Sequence, residues 1–188
     1  MFIQTEATPN PSTLKFLPGR EVLSGEPREF RDPEQATVSP LGEELFQIDG
    51  VTGVFLGSDF ISVTKDDADW SHIKPAILGA IMEHFLSGKP ILIEGAAGDD
   101  LNSEEEFFEE ADAEMVEIIK ELLETRVRPA VAMDGGDIIF RGFKQGVVFL
   151  KMQGACAGCP SSTATLKNGI ENLLRHFVPG VEEVRQVV

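Results

Sequence analysis

Both cysteines of the 188-residue chain, Cys156 and Cys159, lie in the stretch GACAGCP, residues 154–160. In a reducing compartment a Cys-x-x-Cys pair is typical of metal binding or thiol redox chemistry, and two cysteines do not make a disulfide framework. Their neighbours are glycine and alanine, so we expect an open loop whose sulfurs a partner can approach. A helix that begins directly after the loop would lower the pKa of the thiols. This pair is the candidate functional site.

A single chain offers too few thiolates for the cofactors that thiolates usually hold. Structural zinc sites and iron–sulfur clusters typically take four protein ligands. Two Cys-x-x-Cys loops that face each other across a two-fold axis would supply four. The motif alone leaves three functions open: a cluster shared by two subunits, a structural zinc that bridges a homodimer, and a thioredoxin-like thiol–disulfide oxidoreductase.

Other residues add little to this choice. Pro160 favours a helix that begins after Cys159, which leaves both cysteines in a loop and argues against the thioredoxin-like arrangement. His72 and His84 lie in a half of the chain that has no cysteine, and His176 lies far along the helix after the loop. Isolated histidines of this kind are ordinarily structural, so we do not expect them to be ligands.

The elements that position the loop follow from hydrophobic periodicity and turn residues. A helical pattern begins near Met115 and is predicted to end before Pro129. The stretch MDGGDIIFRGFKQGVVFLKMQG predicts a tight turn and two strands joined through Phe-Lys-Gln-Gly. An amphipathic helix is predicted over residues 162–177, with Phe177 on its apolar face, followed by a short strand in VEEVRQVV. The order is therefore helix, strand, strand, cysteine loop, helix, strand.

Composition divides the chain into two small α+β domains joined by a flexible acidic linker. We expect the first domain over residues 1–94, the linker over residues 95–112 and the cysteine-bearing domain over residues 113–188. The linker opens with GAAGDD, and SEEEFFEEAD then predicts a helix start with Ser103 as the N-cap. The first domain shows extended segments on either side of Pro9-Asn10-Pro11, a helix from Ser39-Pro40, and a hairpin that turns at residues 57–59.

Charge and hydropathy exclude two classes of partner. The net charge is −16, and the cysteine-bearing third, with 9 basic and 9 acidic side chains, is neutral. No basic stripe is present to neutralise phosphates, so we expect no nucleic-acid partner. No apolar run approaches the roughly 20 residues of a membrane-spanning helix. The first residues, MFIQTEATPNPS, resemble neither a signal peptide nor a transit peptide, so we expect a cytoplasmic location.

Two stretches of the second domain resemble a known family. DGGDIIF and, further along, LKMQGACAGCPSSTATLKNGIE resemble the C-terminal domain of NifU, which is found in the Nfu-type iron–sulfur cluster carriers. The first half, which begins MFIQTEATPNPSTLKFLPG, resembles the N-terminal domain of the same two-domain proteins. The resemblance spans nearly the whole chain.

This resemblance implies a function. Cys156 and Cys159 would ligate a [4Fe-4S] cluster shared by two protomers, with [2Fe-2S] as the alternative cluster type. The cluster would come from an upstream donor and pass to apo iron–sulfur client proteins, so the chain would be a carrier and not an enzyme. The N-terminal domain would serve partner or client contacts. We interpret Asp134-Gly135-Gly136-Asp137 as a tight turn that needs positive φ, not as a direct contact to the cluster.

Overall fold

The computed structural model describes residues 2–94, 106–157 and 160–187, without the side chains of residues 160–163. The chain forms two compact units, Met1–Asp100 and Leu101–Val188. Each unit combines helices with a sheet, which confirms the predicted α+β class and the two-domain organisation. Among the helices in the described ranges, none has the length and apolar character needed to cross a membrane.

The first unit is an antiparallel sheet with two helices. Its strands lie in the order β1-β2-β5-β4-β3, with bounds β1 (Gln4–Ala7), β2 (Thr13–Leu17), β3 (Arg28–Phe30), β4 (Val51–Leu56) and β5 (Ile61–Lys65). Helix α1 (Pro40–Phe46) follows a 3-10 turn at Gln35–Val38, and α2 (Trp70–Ser87) follows the last strand. The core of the unit contains residues from both helices and the sheet, among them Phe16, Leu41, Leu45, Ile61, Ile77 and Ile81.

Local sequence signals account for these elements. The amide of Ser12 donates to Asn10 Oδ1 at 3.0 Å, so the turn between β1 and β2 closes around the Pro9-Asn10-Pro11 segment. The amide of Gly42 donates to Ser39 Oγ at 3.1 Å, which makes Ser39 the N-cap of α1, with Pro40 at the first helical position. These two predictions and the hairpin of β4 and β5 are confirmed.

The first helix of the second unit continues past Pro129, which corrects the predicted end of this helix. Helix α3 (Ala113–Leu122) passes into a π-helical turn at Leu123–Val127 and then into α4 (Arg128–Met133). Proline lacks an N–H, and its ring would clash with the carbonyl four residues before it in a regular helix. The wider π turn ends at Val127, two residues before Pro129, so the helix changes its hydrogen-bonding pattern ahead of the proline and does not stop.

A three-stranded sheet carries the rest of the second unit. Strands β6 (Gly136–Lys144) and β7 (Val147–Gly154) pair antiparallel, and β7 pairs in parallel with β8 (Glu183–Val187). Helix α5 (Pro160–Phe177) connects β7 to β8. Positive φ angles of 50° at Gln145 and 79° at Gly146 form the two-residue turn that joins β6 to β7. The predicted order of elements is confirmed. The prediction that Phe177 lies on the buried face of the helix is wrong, because Phe177 is 45% exposed and the neighbouring Val178 is buried instead.

The acidic segment before α3 packs on this unit. The Phe107 amide donates to the Arg141 carbonyl at 3.0 Å, and the Phe143 amide donates to the Phe107 carbonyl at 2.8 Å. The centroids of the Phe107 and Phe149 rings lie 5.0 Å apart. The Phe107 ring also covers Gly142, where an added Cβ would come within 2.5 Å of ring carbons. The predicted helix start is therefore wrong for residues 106–109, because helical structure begins with a 3-10 turn at Glu110–Asp112 that leads into α3 at Ala113; Ser103 lies outside the described residues.

Candidate functional site

The register of the β6–β7 hairpin brings the Asp134–Asp137 turn to the cysteine loop. Gly136 pairs with Gly154, and Asp137 pairs with Gln153. The Ala155 amide donates to the Gly135 carbonyl at 3.2 Å, which links the turn directly to the loop. Two segments that lie twenty residues apart in the sequence are thus held against each other at one end of the hairpin.

The two glycines of the turn have different structural roles. Gly135 has a φ of 80°, which confirms the predicted need for positive φ. Gly136 is required for another reason, because a Cβ at this position would lie 2.7 Å from Cys156 Sγ and 2.6 Å from the Gln153 carbonyl oxygen. The sulfur of Cys156 therefore packs against a bare Cα, and no other residue type fits there without a shift of the backbone.

Cys156 is buried, which corrects the expectation of an open loop at this position. Its side chain is 6% exposed and belongs to a hydrophobic cluster that includes Val131, Ile138 and Ile170. The small neighbours in the sequence do not expose the sulfur, because they let the loop fold down onto β6. The loop at Cys156 is thus part of the core of the second unit.

The electrostatics of Cys156 also differ from the sequence-based expectation. Burial, followed by the carboxylates of Asp134 and Asp137, raises the pKa of the Cys156 thiol to about 12. The predicted lowering of the thiol pKa by a following helix is therefore wrong for Cys156. In this conformation the thiol is protonated at neutral pH, so ligation of a metal requires loss of the proton and access to the sulfur.

Cys159 and Gly158 lie outside the described residues. The predicted role of Cys159 as the second ligand therefore stays a prediction. Helix α5 begins at Pro160, which agrees with the expectation that the helix follows the Cys-x-x-Cys pair. Cys156 itself lies in the turn between β7 and that helix.

An ion pair beside the loop was not found by sequence reasoning. Arg128 binds the Asp137 carboxylate through two hydrogen bonds, Nε to Oδ1 at 2.9 Å and a terminal nitrogen to Oδ2 at 2.8 Å. The Asp137 side chain is only 5% exposed. These bonds are the main cause that raises the pKa of Arg128 above its usual range, and a third bond joins Arg128 to Glu124 at 2.7 Å. The i, i+4 spacing of Glu124 and Arg128 was visible in the sequence, but the partner on β6 was not.

Family models match both units. One described as "Scaffold protein Nfu/NifU N terminal" matches residues 3–88, and one described as "NifU-like domain" matches residues 119–185. Together they cover well over half of the chain. This chain belongs to the Nfu/NifU family. The resemblance that the sequence motifs carried is confirmed.

Relatives in this family match from end to end of the chain. A human protein named "NFU1 iron-sulfur cluster scaffold homolog, mitochondrial" is 50% identical over 190 residues, a match that covers all of this chain and 72% of the human protein. A Drosophila ananassae protein of the same name is 52% identical over 189 residues, again across the whole chain, which spans 64% of that relative. The chain is thus shorter than both and spans less than two thirds of the fly relative.

The names of these relatives correct one expectation. Both are described as mitochondrial, which contradicts the cytoplasmic location inferred from the first twelve residues.

Proposed function

We propose that this protein is an iron–sulfur cluster carrier in which two chains hold one [4Fe-4S] cluster between their cysteine loops. The observation that carries the proposal is the place of Cys156, in the loop between β7 and α5, inside the residues that match the NifU-like domain. Cys159 is the only other cysteine of the chain. Relatives that match across the whole chain are named as iron–sulfur cluster scaffolds, which supports the same assignment.

Two chains are needed because of the ligand count. A [4Fe-4S] cluster takes four thiolates, and Cys156 and Cys159 of one chain supply two. A two-fold axis that passes between two loops presents the same pair twice. Such a site comes apart when the subunits separate, which suits a protein that passes its cluster to a client with more thiolates. The cluster is then cargo, and the protein is not an enzyme.

The surroundings of Cys156 argue against thiol redox chemistry in this conformation, and they require the thiol to lose its proton before it can bind a cluster. In a Cys-x-x-Cys oxidoreductase the attacking thiol has a lowered pKa, so that its thiolate is present near neutral pH. Burial and two nearby carboxylates have the opposite effect on Cys156 and raise its pKa to about 12.

The remaining parts of the proposal concern the cell. We infer that the unit Met1–Asp100 provides contacts to clients or to an upstream cluster donor, since it contains no cysteine. We also infer a mitochondrial location, on the basis of the names of the human and fly relatives. Deletion of residues 1–94 should leave cluster loading intact and slow cluster transfer to some clients; equal transfer to every client would contradict this role.

The test is anaerobic reconstitution with iron and sulfide, followed by size-exclusion chromatography with measurement of mass, iron and sulfide. We expect a brown dimer with about four iron and four sulfide per two chains. Cys156→Ser and Cys159→Ser should each abolish the cluster and the cluster-linked dimer, with circular dichroism to show that each variant remains folded. A full cluster in either variant would contradict the four-thiolate site. A colourless zinc dimer, or a monomer that forms a disulfide readily, would support one of the alternatives.

A further inference from the structure

Arg128 owes its position to an irregularity of the helix. It is the first residue of α4, directly after the π-helical turn Leu123–Val127 and directly before Pro129. An extra residue in a helical turn rotates every following side chain about the helix axis, and such π turns are frequent at functional sites. Here the turn is followed at once by a guanidinium that reaches β6.

The partner of Arg128 on β6 is a carboxylate that water hardly reaches. Asp137 is 5% exposed, and both of its oxygens accept hydrogen bonds from Arg128. A buried carboxylate is tolerated only when it is paired and hydrogen-bonded, and loss of its partner leaves an uncompensated charge in the interior. Arg128 is therefore required as long as Asp137 is ionised and buried.

Asp137 connects this pair to the cysteine loop. It follows Gly136, whose Cα lies against Cys156 Sγ, and it pairs in the sheet with Gln153. The amide of Ala155, next to the cysteine, donates to the Gly135 carbonyl. Any movement of Asp137 toward solvent would carry along the turn that forms one wall of the cysteine site.

We propose that Arg128 is a positioning residue for the cysteine loop: by holding Asp137 in place, it keeps the turn before β6 packed against Cys156. The part of this proposal that concerns cluster retention rests on the proposed function. The part that concerns loop geometry is testable without iron. Arg128 acts through Asp137 and need not touch the cluster.

The experiment compares Arg128→Met with the double variant Arg128→Met, Asp137→Asn in the full chain. Methionine leaves the Asp137 charge without its partner, whereas asparagine at 137 removes that charge at nearly the same size. The matched control is Arg185→Met, which breaks a pair of the same kind with Glu183 where both side chains are exposed, at 56% and 40%. Hydrogen exchange of the Ala155 amide, measured by NMR on apo-protein, reports on the loop, and the Val148 amide reports on the opposite end of the same hairpin, beside the Gln145-Gly146 turn.

We expect Arg128→Met to speed exchange at Ala155 by about tenfold or more and to leave Val148 within about threefold of wild type, since the effect is a local opening. The double variant should return Ala155 to within about threefold of wild type, and Arg185→Met should change neither amide. In reconstituted protein, Arg128→Met should shorten the lifetime of the cluster against an excess of chelator, and the double variant should restore it.

Several outcomes would overturn the positioning role. These are an unchanged Ala155 amide in Arg128→Met, an equal acceleration at Val148 and Ala155, which would indicate general destabilisation, and a failure of Asp137→Asn to restore the loop. If wild-type protein takes up no cluster, the proposed function fails, and the exchange rates at Ala155 still decide whether Arg128 positions the loop.

Discussion

The sulfur of Cys156 occupies the space that a side chain at Gly136 would fill, with a distance of 2.7 Å between Sγ and the position of the missing Cβ. Gly136 is the first residue of β6 and Cys156 lies in the loop after β7, so their contact joins the start of β6 to that loop. A candidate ligand is thereby built into the core of its domain. Burial of the sulfur, to which this contact contributes, is the first cause of the raised pKa of the thiol.

Gly136→Ala should destabilise the second unit by about 1–3 kcal/mol, because the new methyl group overlaps the Gln153 carbonyl and Cys156 Sγ. Urea denaturation, followed by an NMR or other spectroscopic signal of a residue in the second unit, measures the loss in the free energy of unfolding. Gly169→Ala on α5 is the matched control: a Cβ there meets nothing within 4 Å, and alanine is the better helix former. The control should be neutral or stabilising by about 0.5–1 kcal/mol. Equal effects of the two substitutions would contradict the close packing at Gly136.

The thiol of Cys156 should resist alkylation until alkaline pH. In a Cys159→Ser background, where it is the single thiol, iodoacetamide should react slowly through neutral pH and faster only as the pH rises toward the folded-state pKa of about 12. The same chain in concentrated urea should titrate near the ordinary thiol value of 9.0. A folded protein that reacts as fast as the unfolded one would show that the sulfur is open and deprotonated.

The raised pKa of Cys156 also links stability to pH. The folded chain keeps a proton that the unfolded chain releases above pH 9.0, so this contribution to stability is complete below pH 9.0 and is lost as the pH rises toward about 12. Denaturant unfolding of Cys159→Ser at about pH 8 and about pH 10 should show this loss. Removal of the remaining thiol with Cys156→Ala should abolish the difference that the thiol causes.

Phe107→Ala should destabilise the second unit by about 1–2 kcal/mol, since the ring packs on Phe149 and covers Gly142. Phe107 as a whole is 45% exposed, so the effect should be smaller than that of a fully buried phenylalanine. Phe108→Ala is the control at a neighbouring position of similar exposure, 41%, and should cost less. Thermal unfolding of residues 106–188 measures both, and a larger loss for Phe108→Ala would show that the Phe107 contact does not hold the segment.

Acid should destabilise the first unit through His84. Burial lowers the pKa of His84 from its ordinary 6.5, against a smaller opposing effect of Glu44 and a further lowering by Lys89. The unfolded chain therefore binds a proton below pH 6.5 that the folded chain does not, and stability falls as the pH falls, by up to about 1.4 kcal/mol per pH unit. His84→Leu should reduce this slope, whereas His72→Leu, at an exposed position on the same helix, should leave it in place. An unchanged slope in His84→Leu would contradict the prediction.

Much of the fold was predictable because its signals are local. The cap at Ser39, the turn at Gln145-Gly146 and the helix after the cysteine pair each depend on residues within a few positions of one another. The failures have two causes, an irregular turn within a helix and a residue on a distant element. Pro129 does not end its helix because a π turn precedes it, and Phe107 leaves the expected helix because Gly142 on β6 offers the ring a place to pack.

The sequence by itself determined which atoms are available for chemistry: two thiols, three residues apart, in a neutral domain between a strand and a helix. It could not determine that Cys156 is buried, that Gly136 makes room for its sulfur or that Arg128 neutralises Asp137. Those properties depend on distances between residues nine to twenty positions apart. The pairing of β6 with β7 and the π-helical turn before Arg128 set these distances. Burial and Coulomb interactions depend on proximity in space and not on spacing in the sequence.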